Sequence, residues 1–212
     1  TLDGKPITQG LRTGAFAESV VVDASQLAPI PKDIPLDSAS ILSCGVITGF
    51  GAVVNTAQIT SGSSVVVIGT GGVGLNSVQG AAIAGAEKII ALDLSDTKLE
   101  ASKKFGATHT VNVELENERE LVKGLTGGRG ADYVFVTVGA KSALEQGFKL
   151  LCKGGTLVIV GMTADGVQIE FDSCAFASVE QRLLGSKMGS TRLKTDIPWY
   201  ISLYQQHRLK MD

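Results

Sequence analysis

The run Val65-Val66-Val67-Ile68-Gly69-Thr70-Gly71-Gly72-Val73-Gly74 fits the spacing G-x-G-x-x-G. Each glycine suits a separate need of a phosphate-binding turn. Gly69 permits a tight turn after a strand, Gly71 lets a pyrophosphate approach the backbone, and Gly74 lets the next helix lie against the strand. The amides of Gly72 and Val73 then open that helix, whose dipole favours a phosphate's charge. Asp93 ends a second apolar run, nineteen residues after Gly74, where a carboxylate can accept hydrogen bonds from an adenosine ribose. It would repel a 2′-phosphate, and Leu94-Ser95-Asp96-Thr97 holds no Arg to offset that, so NAD is favoured over NADP. The spacing also admits a turn packed for its own sake, or one that binds S-adenosylmethionine. Asp93 also suits a cap on the following helix. Cys44, read alone, would be expected to be a small buried apolar residue.

Such a turn needs strands and helices in alternation to hold it. Apolar runs predict strands over 65–68, 88–92, 108–113, 132–138 and 156–160, with a sixth over 183–188. Helical spacing predicts helices over 73–84, 95–105, 116–124, 142–151 and 195–206. Strands without polar alternation, separated by helices, imply an α/β fold: a doubly wound parallel sheet covered on both faces. Upstream lie a strand-like run over 17–22, a stretch with Pro29, Pro31 and Pro35, and a helix over 37–56 seeded by Asp37 or Ser38. Gly45, Gly49 and Gly51 interrupt that helix; they cost stability there and point to close packing or a nearby ligand. The acidic stretch 114–120 reads as a solvated helix face.

The composition narrows the classes. Apolar residues make up 44% of 212 and charged residues 19%, enough for a sizeable core. The net charge of −2 argues against a nucleic-acid partner, which demands surplus Lys and Arg. No charge-free apolar run of about 18 residues is expected, hence no membrane span. The opening TLDGKPITQGLR lacks the basic-then-apolar order of a signal peptide. Cys44, Cys152 and Cys174 are odd in number and far apart, which suits a reducing, cytoplasmic setting rather than a disulfide framework.

The segment Ile41-Leu42-Ser43-Cys44-Gly45-Val46-Ile47-Thr48-Gly49-Phe50-Gly51-Ala52 resembles one in the zinc-containing medium-chain alcohol dehydrogenases. The resemblance continues through Gly69 to Gly74, Ile89 to Asp93, Phe105-Gly106-Ala107-Thr108, Gly130-Ala131-Asp132 and Gly154 to Gly161, and covers residues 14–212. The nearest class is that of the glutathione- or mycothiol-linked formaldehyde dehydrogenases. The resemblance implies a remnant of a GroES-like catalytic domain and a connecting helix over 1–43. It implies an NAD-binding Rossmann domain over 44–190, then a helix over 191–212 returning toward the catalytic domain. It makes Cys44 a ligand of the catalytic zinc, and Thr48 a catalytic-site residue beside the nicotinamide. Lys98 would join Asp93 at the ribose. Val138, Gly139, Val160 and Gly161 would line the nicotinamide side, and Ser186 and Met188 would offer backbone contacts to the carboxamide. The strand near 183–188 would pair across a dimer axis, in a homodimer or homotetramer.

The implied reaction is hydride transfer between NAD and a primary or secondary alcohol, or a thiol adduct such as an S-hydroxymethyl thiol. The substrate is then a small alcohol or aldehyde. The departures are as informative. The family's other zinc ligands, a cysteine and a histidine beside a glutamate, have no counterpart here, nor has its four-cysteine lobe. His109 and His207 do not replace them, and Cys152 at a helix end and Cys174 in a loop are expected to be inert. One ligand does not hold a catalytic zinc, so the chain is expected to be a fragment, mainly a cofactor domain, inactive alone. Two other readings stay open: a zinc-free NADPH quinone or enoyl reductase of the same superfamily, and a non-catalytic dinucleotide-binding module. Cys44 and Asp93 both speak against the reductase.

Overall fold

Runs of Val, Ile and Leu with no polar alternation are stable only where both faces of a sheet are covered. The computed structural model describes residues 3–6 and 12–211. The strands are β1 (Ser64–Ile68), β2 (Lys88–Asp93), β3 (His109–Asn112), β4 (Ala131–Val136), β5 (Leu151–Ile159) and β6 (Arg182–Gly185). They form one sheet in the order β3-β2-β1-β4-β5-β6. Every pairing is parallel, with Val66 opposite both Ile90 and Val134. The order reverses between β1 and β4. In a doubly wound sheet the ligand crevice lies outside the carboxyl ends of the strands at that reversal.

The α-helices are α1 (Leu36–Ser40), α2 (Ile47–Gly51), α3 (Gly72–Ile83), α4 (Asp96–Lys104), α5 (Glu118–Leu125), α6 (Lys141–Leu150), α7 (Ser173–Ser178) and α8 (Leu193–Gln205). Alternate strand residues divide between two cores. Val66, Ile90, Val134 and Leu157 pack with Val122 of α5 and Leu144 of α6. Val65, Val67, Ile89 and Phe135 pack with Val78 and Ala81 of α3, and with Ala52 and Val53. Full burial stabilises each such side chain by about 1.5–3 kcal/mol, so the carboxyl ends of β1 and β4 sit on a rigid base. A third cluster joins Ile197, Tyr200 and Ile201 of α8 to Ile34, Val46, Ile47 and Phe50.

The helix expected over 37–56 is helical from Leu36 to Ala57 but not uniform. Leu42–Val46 and Ala52–Ala57 wind as π-helix, and the run stops at Gln58 with φ 50°. Its glycines are explained by packing. A Cβ on Gly49 would lie 2.0 Å from the Val73 carbonyl oxygen of α3, and one on Gly51 would lie 2.4 Å from the Gly189 carbonyl oxygen. Gly45 has no comparable neighbour. The expectation that no long apolar run exists needs correction. Leu36–Ala57 is 22 residues long and reaches a mean hydropathy of 1.5 over 18 of them, enough by length and composition to cross a membrane. In this fold Val46, Ile47, Phe50, Ala52 and Val53 are core residues.

Several boundaries also move. No strand forms over 17–22: residues 16–19 are bends, and Val21 is fully exposed. A strand needs a ladder partner, and the apolar pattern alone supplied none. β5 starts at Leu151, paired with Ala131 ahead of an irregularity in the register, so Cys152 is a strand residue rather than a helix end. Cys174 lies in α7 rather than a loop. β4, β5 and β6 end at Val136, Ile159 and Gly185, which leaves Val138, Gly139, Val160, Gly161, Ser186 and Met188 in the connections beyond. Of the acidic stretch, only Glu118 onward is helix, capped by Asn117. The signal-peptide reading of the opening falls largely outside the described residues.

Candidate functional site

β1 delivers the chain to Gly69, whose φ of 90° is ready only to glycine. Two neighbours pin the turn. The Gly69 N–H donates to the Leu92 carbonyl at 2.7 Å. The Thr137 hydroxyl reaches the carbonyls of Ile68 and Gly69, at 3.0 and 2.8 Å. A Cβ on Gly74 would stand 1.9 Å from the Gly69 carbonyl oxygen, and one on Gly69 would stand 2.4 Å from Val138 Cγ1. Those two glycines serve the turn's own packing. Gly71 and Gly72 differ: a Cβ there would meet nothing within 4 Å. No side chain caps α3, and the Leu75 N–H makes the first bond into it, to the Gly71 carbonyl at 2.8 Å. The amides of Gly72, Val73 and Gly74 thus have no carbonyl of their own helix to meet. An open, glycine-lined helix N-terminus carrying roughly half a positive charge fits a pyrophosphate.

Asp93 closes the same corner. Its Oδ2 accepts from the Thr70 N–H at 2.7 Å and the Thr70 hydroxyl at 3.0 Å. Its Oδ1 accepts from the N–H groups of Leu94 and Ser95, at 2.9 and 3.1 Å. The N-cap of α4 is Ser95, so Asp93 ties β2 to the glycine turn rather than capping the helix. Partial burial alone would raise its pKa. The bonds from Thr70 and Ser95, with the nearby charge of Lys98, outweigh this and hold the carboxyl below the usual aspartate range. It is therefore ionised at neutral pH. Thr70, only 1% exposed, is a site residue the motif reading passed over, because it fills a position the pattern leaves free. Lys98 is exposed on α4.

Across the crevice, the N–H groups of Val160 and Gly161 both donate to the Val136 carbonyl, at 3.0 and 2.9 Å. A Cβ on Gly161 would lie 2.5 Å from the Val138 carbonyl carbon, and one on Gly139 would lie 2.3 Å from the Met162 carbonyl oxygen. The four expected residues do come together, and their glycines are needed for that packing. Ser186 follows β6 directly. Its N–H continues the ladder to Ile159 at 2.9 Å, and its hydroxyl pairs with that of Thr56 at 2.9 Å. Both groups are engaged within the protein.

Met188, Gly189 and Ser190 have φ of 51°, 64° and 49°. Met188 and Ser190 are not glycine, and left-handed residues of that kind persist only where surroundings impose them, often at functional sites. Here a Cβ on Gly189 would lie 1.9 Å from the Ile47 carbonyl oxygen, and Asn55 Nδ2 donates to the Gly189 carbonyl at 3.2 Å. Asn55 also donates to Asp196 Oδ2 at 3.0 Å; that carboxylate, 1% exposed, accepts from the Arg192 N–H and Nη2 as well. The loop so held brings Met188 Sδ to 3.9 Å from Thr48 Oγ1. Asn55 and Asp196 looked like ordinary helix residues in the sequence; only the contact across 141 positions marks them.

The family model for zinc-binding dehydrogenases matches residues 72–206, which run from the open helix N-terminus through α8. The chain belongs to the zinc-binding dehydrogenases. It is 37% identical over 216 residues to alcohol dehydrogenase class-3 of Zea mays, covering 100% of this chain and 56% of the maize protein. It is 39% identical over 214 residues to alcohol dehydrogenase-like 5 of Arabidopsis thaliana, covering 99% and 54%. Among solved structures, benzyl alcohol dehydrogenase from Acinetobacter calcoaceticus superposes with a TM-score of 0.84 at 33% identity, over 87% of this chain and 51% of that one. A putative zinc-binding dehydrogenase from Sinorhizobium meliloti, bound to NADP, does so at 0.76 and 26%, over 85% and 52%. The chain spans about half the length of the relatives it matches.

In this zinc-binding dehydrogenase Cys44 is an exposed free thiol on the π-helical turn Leu42–Val46, four residues before Thr48. Among the described residues no group of three or more His, Cys, Asp or Glu is placed to hold a metal. A catalytic zinc takes about three protein ligands, so these residues do not by themselves make its site. We expect the 212-residue chain to retain no stoichiometric zinc after dialysis, as read by elemental analysis. One zinc per chain, lost on Cys44→Ser, would mean that further ligands lie within these residues.

Proposed function

We propose that this chain is the dinucleotide-binding part of an alcohol dehydrogenase. That enzyme would move a hydride between NAD and a small primary or secondary alcohol, or a thiol adduct such as an S-hydroxymethyl thiol. One observation carries the reading: an ionised Asp93 tied through Thr70 to a glycine turn whose helix N-terminus stands open. When bound, NAD supplies the hydride acceptor. The residues of this chain bind and orient it. The amides of Gly72 and Val73 hold the pyrophosphate, Asp93 accepts from the ribose with Lys98 beside it, and Val138 and Val160 exclude water at the strand ends. Thr48, 9% exposed beside Met188, is the hydroxyl this chain offers at the nicotinamide end. Cys44 would give one thiolate to a zinc completed by residues this chain does not include. The edge of β6, where Leu183 is 37% exposed, suits pairing with a second copy in a homodimer or homotetramer, in a cytoplasmic setting.

The NADP of the Sinorhizobium meliloti protein favours a second reading, an NADPH-dependent enzyme. The charge on Asp93 opposes it, because a 2′-phosphate would meet that carboxylate with no arginine in 94–97 to offset it. Calorimetric titration with NADH and NADPH decides between them. NADH should bind in the micromolar to millimolar range and more tightly than NADPH. Equal affinities would remove the role given to Asp93, and a folded chain that binds neither would remove the whole reading.

A further inference from the structure

A cavity of about 650 Å³ opens beside the first residues of β5, among α5, α6 and α7. It lies at the end of the sheet opposite the glycine turn. α6 runs from the crevice side at Lys141 to the cavity side at Leu150, about 15 Å by its length. The volume falls within the usual range for a small-molecule site.

Its apolar wall is aromatic. Phe148 of α6 stacks on Phe171, with centroids 5.3 Å apart and 25° between planes; Phe176 of α7 stands 5.2 Å from Phe171. Phe171 remains 45% exposed. No cation lies over these rings among the described residues; the cation–ring contact is Lys210 over Phe105, elsewhere.

Its rim is cationic. Arg119 and Lys123 come from α5, Lys149 from α6 and Lys153 from β5. All four are exposed, and none has an ion-pair partner among the described residues. The acids in the lining are already engaged. Glu145 faces Lys141 at 3.4 Å, Glu170 faces the same lysine at 3.9 Å, and Asp172 accepts the amides of Cys174 and Ala175 as the N-cap of α7. With Arg129, which faces Asp132 at 3.8 Å, the lining holds five cations against three acids, in a chain whose net charge is −2. Like charges gathered around an exposed aromatic wall repel each other until an anion arrives.

We propose that this cavity is a second binding site, separate from the dinucleotide crevice, for an aromatic anion. The flat apolar body lies on Phe171 and Phe148, and the carboxylate or phosphate reaches Lys149 and Lys153. Charge selects the ligand's head and the rings select its body, so neither a neutral aromatic nor a bare anion satisfies both.

Calorimetry on the 212-residue chain with 2-naphthoate, its neutral counterpart 2-naphthamide, and inorganic phosphate tests this. 2-Naphthoate should bind, more weakly as salt rises, with no displacement by saturating NADH. 2-Naphthamide and phosphate should each bind about tenfold more weakly or worse. Replacing both lysines, Lys149→Gln with Lys153→Gln, should weaken 2-naphthoate by about tenfold or more, as loss of charge-assisted bonds requires. Lys→Arg at both should restore it. These side chains are exposed, so the variants should keep the wild-type melting temperature. Equal binding of the amide, indifference to the lysine variants, displacement by NADH, or no binding at about 10 mM would each overturn the proposal. So would a dimer seen by sedimentation that Phe171→Ser dissolves, since the wall would then be an interface between copies. The lysine variants decide the matter even if NADH does not bind.

Discussion

Gly74→Ala is expected to abolish dinucleotide binding and to lower the melting temperature. Its new Cβ would stand 1.9 Å from the Gly69 carbonyl oxygen and 2.9 Å from the Gly69 carbonyl carbon. Both are backbone atoms, so no side chain can swing aside. Gly69 itself is held by Leu92 and Thr137, which leaves α3 to move away from β1. Overpacking of this kind costs about 1–3 kcal/mol, a fall of roughly 2–12 °C for a domain of this size. The larger effect is on binding, because displacing α3 carries the amides of Gly72 and Val73 with it. Gly71→Ala is the contrast: its Cβ meets no protein atom within 4 Å. It should keep the wild-type melting temperature yet weaken NADH, since the methyl fills the space a pyrophosphate would approach. Thermal unfolding and calorimetry on the two variants separate the roles. Wild-type melting and binding in Gly74→Ala would contradict the packing described.

Asp93→Ala should weaken NADH binding and also destabilise the fold. The variant leaves the Thr70 N–H without its acceptor in a residue only 1% exposed, and a buried donor so orphaned costs about 1–3 kcal/mol. Losing a charged acceptor for the ribose should weaken NADH by about tenfold or more. The gap between NADH and NADPH should narrow, because the repulsion of a 2′-phosphate goes with the carboxylate. The acid response follows from the lowered pKa of Asp93. A carboxyl lower in the folded than in the unfolded chain stabilises above the unfolded value, near 3.9. That contribution is lost as pH falls through the folded value. Melting temperature should therefore drop with pH below about 4, less steeply in Asp93→Asn. Some slope should persist from Asp132: burial alone would raise its carboxyl, but the bonds from Ser64 hold it low. An unchanged NADH-to-NADPH ratio in Asp93→Ala would remove Asp93 from cofactor choice.

The strands, their succession and the glycine turn were legible because they rest on local pattern. Val65 to Ile68 leaves no polar face, and Gly69 to Gly74 carries its spacing in six consecutive positions. The resemblance in 41–52 and beyond pointed to the family that the 72–206 match assigns. Less was legible where meaning depends on a partner. The run 17–22 has strand composition but no ladder, so it stays exposed. The glycines of the connecting helix were ambiguous between ligand and packing until α3 and Gly189 stood against them.

The sequence by itself determined the parallel α/β fold, the glycine turn between β1 and α3 and the acidic residue at the end of β2. Each is a consequence of side-chain type and near-neighbour spacing, which a linear chain carries whole. Only the tertiary structure decided which donors Asp93 serves, that Thr70 shares its carboxylate, and that Asn55 and Asp196 hold the loop carrying Met188 against Thr48. It also decided that Ser186 is already engaged by Thr56 and Ile159. Apart from the amides of Leu94 and Ser95 beside Asp93, those are contacts between residues from 23 to 141 positions apart. A hydrogen bond depends on tenths of an ångström, and such distances exist only once the two sheet faces have packed and fixed the crevice between β1 and β4.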